Sequence, residues 1–143
     1  MKDFFTRYKR FAVVGLSRDP KAFSRSVCQF LAQRGCELYI VNPRAAADDM
    51  AGFPCYRSPD QLPDVDGAIF FTQPHITVSL LPDYKARGIQ RVWFQQGAAD
   101  QAVLKKTADL HLEFMNGCVF MYNPDTGFPH NFHTFLAKLF HTY

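Results

Sequence analysis

The stretch Phe11-Ala12-Val13-Val14-Gly15-Leu16-Ser17 constrains this chain most, because it is an apolar run that ends in Gly-x-Ser. It leads through Arg18-Asp19-Pro20 into a segment where Phe23, Val27, Phe30 and Leu31 fall at i, i+4, i+7 and i+8. That stripe is the signature of a helix packed on a sheet. Gly35 stands where a helix C-terminal glycine belongs, and a second apolar run, Leu38-Tyr39-Ile40-Val41, ends in Asn42-Pro43-Arg44. The order is strand, turn, helix, strand with short connections. Two such strands are parallel with a right-handed crossover, and parallel strands covered on both faces read as continuous apolar runs.

The same alternation continues down the chain. The spacing predicts strands over about 11–16, 37–42, 67–72, 91–95 and 112–115, and helices over about 74–87 and 100–109. Pro82 should kink or restart the first of these helices, because it removes an amide donor and crowds the preceding turn. Asp100 is placed to cap the second. Residues 45–65 read as an irregular connection with a short strand at Phe53–Tyr56 and a capped single turn at Ser58–Leu62. Phe4, Phe5 and Tyr8 form an amphipathic lead-in over residues 1–10. Gly117–Tyr122 reads as a further short strand or buried extended segment. Phe132, Phe135, Leu136, Leu139 and Phe140 give an amphipathic C-terminal helix over about 131–141. No repeat or linker interrupts this pattern, so the expected fold is one α/β domain over residues 1–143 with a mainly parallel sheet.

Composition narrows the function classes. The chain has 143 residues with 48% hydrophobic and 20% charged, as in ordinary globular domains. A net charge of +3 is too small and too scattered for nucleic acid, and it favours at most an anionic small ligand. No apolar run reaches the ~18 residues of a transmembrane helix, and the N-terminus lacks a signal-peptide pattern. The four cysteines, Cys28, Cys36, Cys55 and Cys118, have no C-x-x-C spacing and suit reduced thiols in a cytoplasmic protein. His130 and His133, with His141 beyond, have no cysteine or acid at metal-ligand spacing, so no metal is expected. His75 has no partner acid nearby for a role as catalytic base.

Ligands of parallel sheets sit outside the carboxyl ends of the strands. A dinucleotide fingerprint would need three glycines and an acid after the second strand. Here Ser17 replaces the second glycine, no third follows, and Asn42-Pro43-Arg44 replaces the acid. A neutral amide followed by a cation suits a phosphorylated ribose, which leaves NADP and coenzyme A open. Both carry a pyrophosphate that a helix N-terminus can hold.

Val13–Pro20, Phe23-Ser24-Arg25 and Tyr39–Pro43 resemble the small stand-alone CoA-binding proteins, which are similar to the CoA-binding domain of the succinyl-CoA synthetase α-subunit. The resemblance continues through Cys55–Ser58, Val65-Asp66, Val92–Ala98, Cys118–Met121 and His130–His133, and so covers almost the whole chain. It implies a Rossmann-like three-layer fold that binds coenzyme A or an acyl-CoA without catalysing a reaction itself. It also implies roles for individual residues. Gly15, Ser17, Arg18, Ser24 and Arg25, with Leu16 among them, would hold the pyrophosphate, and Arg44 or Arg25 would meet the 3′-phosphate of coenzyme A. Val41, Asn42, Pro43 and Arg44 would flank the adenosine end, and Thr72, Gln73 and Pro74 would close over the ligand. Gln95 and Gly97, on the same rim, would meet the pantetheine arm. Two other readings stay open: an NADP-dependent oxidoreductase, and a ligand-binding or regulatory subunit of an acyl-CoA enzyme. In the second case a partner chain would supply catalysis, because the synthetase's phosphohistidine domain has no counterpart in the sequence. A homodimer is likewise left open.

Overall fold

The computed structural model describes residues 4–45 and 47–117. The expected segment after Gly117, the C-terminal helix and the residues Cys118, His130, His133 and His141 lie outside the described residues. Five parallel strands follow the predicted order, β1 (Arg10–Val14), β2 (Glu37–Val41), β5 (Gly67–Phe70), β6 (Arg91–Phe94) and β7 (Glu113–Asn116). Between β2 and β5 lie β3 (Asp49–Met50) and β4 (Phe53–Tyr56). Together they form one seven-stranded sheet in the order β3-β4-β2-β1-β5-β6-β7, antiparallel only where β3 meets β4. The helices are α1 (Phe4–Arg7), α2 (Phe23–Gln33), α3 (Pro74–Ala86) and α4 (Gln101–Asp109). This is the expected Rossmann-like architecture. The chain leaves β1 towards β2 on one side and returns to β5 on the other, so the order reverses at β1.

Alternate residues of the strands feed two cores. On one face Phe11, Val13, Ile40 and Ile69 pack with Val27, Cys28 and Leu31 of α2. On the other, Ala12, Val14, Phe70 and Phe94 pack with Leu81 and Tyr84 of α3 and Val103 of α4. Each large apolar side chain so buried contributes about 1.5–3 kcal/mol. In the lead-in, Phe5 docks on the first core, 4.8 Å from the Trp93 ring centroid and 5.3 Å from that of Phe11. Trp93 is fully buried, and its indole N–H donates to the Gly117 carbonyl at 2.9 Å. Asp66 ties the amino ends of β1 and β5 together, since its Oδ2 accepts from the amides of Lys9 and Arg10 at 2.9 and 3.0 Å.

Several local expectations change. Four strands end one or two residues earlier than the apolar runs suggest, although one further backbone bond continues the ladder past some of them, as in Phe71 N–H to the Val14 carbonyl. α3 runs unbroken through Pro82, whose lost amide costs ~3 kcal/mol. Leu81 and Tyr84, both buried beside it, offset that loss. The connection after β2 is more ordered than expected, because Ala51 and Gly52, at φ 58° and 82°, turn β3 back along β4. Ser58 makes no side-chain cap to the single turn at Pro59–Gln61; instead Gln61 accepts the Arg57 amide. Asp100 does cap α4, its Oδ1 accepting from Val103 N–H at 3.0 Å.

α2, α3 and α4 end alike. The third residue past each helix donates to the carbonyl five residues earlier (Cys36 to Leu31, Ile89 to Tyr84, Leu112 to Thr107), with a left-handed residue before it. That residue is Gly35, Gly88 or His111, so only the third is not glycine. His111 at φ 56° carries the ~1–2 kcal/mol cost of a side chain in this region, partly offset by the extra unfolded-state freedom of glycine. His111→Gly is therefore expected to stabilise the protein by about 0.5–1 kcal/mol, read as a raised urea midpoint at unchanged slope.

Candidate functional site

The carboxyl ends of β1 and β5 meet at Gly15. Its φ is +91°, and a Cβ placed there would lie 2.8 Å from Thr72 Cγ2 and 3.0 Å from Thr72 N. No side chain fits, so the loop after β1 lies directly on the loop after β5. Leu16 is buried beneath it, and Ser17 to Lys21 fold back on the first turn of α2. Ser17 N–H donates to Ser24 Oγ at 3.1 Å, and Ser17 Oγ accepts from Asp19 N–H at 3.1 Å. Arg25 Nη1 donates to the carbonyls of Ser17 and Arg18 at 3.2 and 3.4 Å. Arg25 thus braces the loop. In these bonds both serine hydroxyls accept, which leaves each hydroxyl proton available to an anion at the helix start.

The neighbouring loops are ordered by their own bonds. Asn42 N–H continues the ladder to the Tyr56 carbonyl at 2.8 Å, while Asn42 Oδ1 accepts from Arg44 N–H at 2.9 Å and closes a turn. The Thr77 hydroxyl is 2.7 Å from Thr72 Oγ1 and 3.0 Å from the carbonyls of Thr72 and Gln73. Either hydroxyl can donate to the other, and the Thr77 hydroxyl also lies within reach of both carbonyls. The loop that carries Gln73 is thereby fastened to α3, which Pro74 opens. Gln95 is buried, and its carbonyl accepts from Ala98 N–H across the turn that contains Gly97.

Three adjoining clefts run along this rim. The largest, about 570 Å³, brings together Gly15, Ser17, Ser24, Thr72, Gln73, Gln95 and Gly97. The second, about 400 Å³, shares Gly15 and Thr72 with it and adds Leu16, Val41, Asn42 and Pro43. The third, about 300 Å³, shares Asn42 with the second and contains Arg18 and Arg25. Thirteen of the fifteen expected residues thus line a cleft; Arg44 and Pro74 line none of the three. Arg57, Ile76 and Leu80, not singled out in the sequence, line the second cleft. Ile76 and Leu80 are four apart on α3, a spacing that marks one helix face. Arg57 follows β4, whose pairing with β2 brings it beside Asn42.

The cysteines of the described residues are held as thiols. Burial pushes Cys28 up to about 12 against the opposing charge of Arg25. Burial also raises Cys55, in the third cleft, and Asp48 and Asp49 add to the effect. Among the described residues no group of three or more His, Cys, Asp or Glu side chains could hold a metal, and no helix is long and apolar enough to cross a membrane.

The sequence model of the CoA binding domain family matches residues 9–124, from just before β1 to beyond β7. The chain belongs to the CoA binding domain family. Solved structures share the fold. It is similar to a conserved hypothetical protein from Pyrococcus furiosus, with 29% identity and a TM-score of 0.72 over 80% of this chain and 97% of that one. It is also similar to a hypothetical protein from Pyrococcus horikoshii OT3, with 28% identity and a TM-score of 0.76 over 85% of each chain. The dinucleotide-forming acetyl-coenzyme A synthetase 1 of Ca. Korarchaeum cryptofilum, in complex with phosphate and ADP, shares the fold. Its identity is 21% and its TM-score 0.65, over 84% of this chain and 28% of that one. A comparison with curated proteins gives no match.

Two outcomes test this geometry. Gly15→Ala places a methyl where Thr72 already stands, at a backbone angle that costs ~1–2 kcal/mol. Its expected effect is a stability loss of about 2–3 kcal/mol in denaturant unfolding. The second is pH dependence. Cys28 ionises near 9.0 when exposed and near 12 when folded, so its contribution is complete below pH 9.0 and is lost as pH rises towards 12. The stability difference between wild type and Cys28→Ala should therefore be constant at neutral pH and shift against the wild type above pH 9.0.

Proposed function

We propose that this chain binds coenzyme A, free or as an acyl thioester, along the carboxyl ends of β1, β2, β5 and β6. The observation that carries the reading is the side-chain-free crossing at Gly15, which joins two clefts on either side of the point where the strand order reverses. The pyrophosphate lies at the start of α2, where the hydroxyls of Ser17 and Ser24 donate and Arg18 supplies charge. Val41, Asn42 and Pro43 flank the adenosine. The pantetheine arm follows Thr72, Gln73 and Pro74 towards Gln95 and Gly97.

The role is recognition without chemistry. No titratable side chain lines the largest cleft among the described residues, so the thiol end meets amides and hydroxyls rather than an acid or base. The same fact favours a second reading, in which the chain presents an acyl-CoA to a partner chain that carries the catalytic groups. Thiols buried at Cys28, Cys36 and Cys55 suit a reducing, cytoplasmic setting.

Calorimetric titration with coenzyme A, dephospho-coenzyme A, NADP and NAD in parallel tests the proposal. The expected result is that coenzyme A binds and dephospho-coenzyme A binds about tenfold more weakly, a difference of ~1.4 kcal/mol. Binding of NADP without coenzyme A would overturn it and point to a reductase.

A further inference from the structure

We infer that Arg57 is the residue that recognises a phosphorylated ribose at the Asn42 end of the site, and that it sets the preference for coenzyme A over its dephosphorylated form. The inference rests on the coenzyme A reading above. Three arginines compete for the role by position. Arg44 follows Asn42-Pro43 in sequence and is exposed, as Arg57 is, but it lines none of the three clefts; its backbone N–H serves the Asn42 turn. Arg25 is engaged through Nη1 with two loop carbonyls, at the start of α2 rather than at the Asn42 turn.

Arg57 is placed differently. Val41 pairs with Tyr56, and the Asn42 amide donates to the Tyr56 carbonyl, so the residues that follow emerge side by side at the rim. The Arg57 amide is fixed by Gln61 Oε1 at 3.0 Å. Its Nε donates at 3.2 Å to the Ala45 carbonyl, and Ala45 N–H in turn donates to the Asn42 carbonyl at 3.0 Å. Arg57 therefore reaches from the end of β4 to the turn after β2 and is held by its Nε. Both terminal nitrogens of the guanidinium have no hydrogen-bond partner among the described residues. A planar fork with one nitrogen anchored and two presented is suited to bidentate capture of a phosphate. The rest of the cleft matches a phosphorylated adenosine: Ile76 and Leu80 supply an apolar wall for a base, and Asp83 on α3 offers an acceptor for an exocyclic amine.

Titration of the full chain with coenzyme A and dephospho-coenzyme A, for wild type, Arg57→Ala, Arg57→Gln and Arg44→Ala, decides the matter. Glutamine keeps an amide donor for the Ala45 carbonyl and removes the charge. The expected result is that both Arg57 variants bind dephospho-coenzyme A within about threefold of wild type and lose the roughly tenfold preference for coenzyme A, while Arg44→Ala keeps it. The assignment is overturned if the Arg57 variants keep the preference, or if Arg44→Ala abolishes it. It is also overturned if both Arg57 variants lose the two ligands alike, which would make Arg57 a loop brace. Wild-type protein that binds neither form would instead remove the coenzyme A reading itself, and this assignment with it.

Discussion

The contact between Gly15 and Thr72 governs the arrangement of the whole rim. Two loops that leave the sheet for opposite faces touch backbone to side chain, at a distance that admits no β-carbon. The loop after β1 is then free to fold back on α2, with Ser24 and Arg25 bonded to its backbone. The loop after β5 is pinned from the other side by Thr77, which is fully buried in α3. The sheet, both helical layers and two of the three clefts meet at this one crossing.

The polarity of the site follows from how its donors are used. Backbone amides and one guanidinium satisfy the loop itself, and the serine hydroxyls act there as acceptors. Their protons are not used by these bonds. Thr72 differs, since its hydroxyl is already paired with that of Thr77 at 2.7 Å. The rim therefore offers free hydroxyl donors at the start of α2 and a paired hydroxyl at the crossing. An elongated molecule with an anionic segment and an amide-bearing segment matches that sequence of demands.

Much of this was legible in the sequence because parallel strands announce themselves as apolar runs and because glycine marks the turns that need it. Gly15, Gly35 and Gly88 all proved to have positive φ. The parts that were not legible share a cause. β3 escaped notice because Ala51 occupies a left-handed turn position where asparagine or glycine is usual. The turn after α4 was obscured in the same way by His111. Arg57 was overlooked because its position beside Asn42 comes from the pairing of β4 with β2, a contact between residues remote in sequence. Arg44 drew attention by adjacency along the chain, which says little about adjacency in space.

The shared ending of α2, α3 and α4 separates the two rims of the sheet. At the amino ends of the strands, backbone bonds and one left-handed residue close each turn, and no side chain is needed for the connection. At the carboxyl ends, each loop depends on particular side chains. Sequence drift on the first rim thus meets only the demands of folding, whereas on the second, where we propose that the ligand lies, it would meet folding and recognition together. A family built on this sheet can change what it holds by rewriting one edge, while the opposite edge keeps the chain in register.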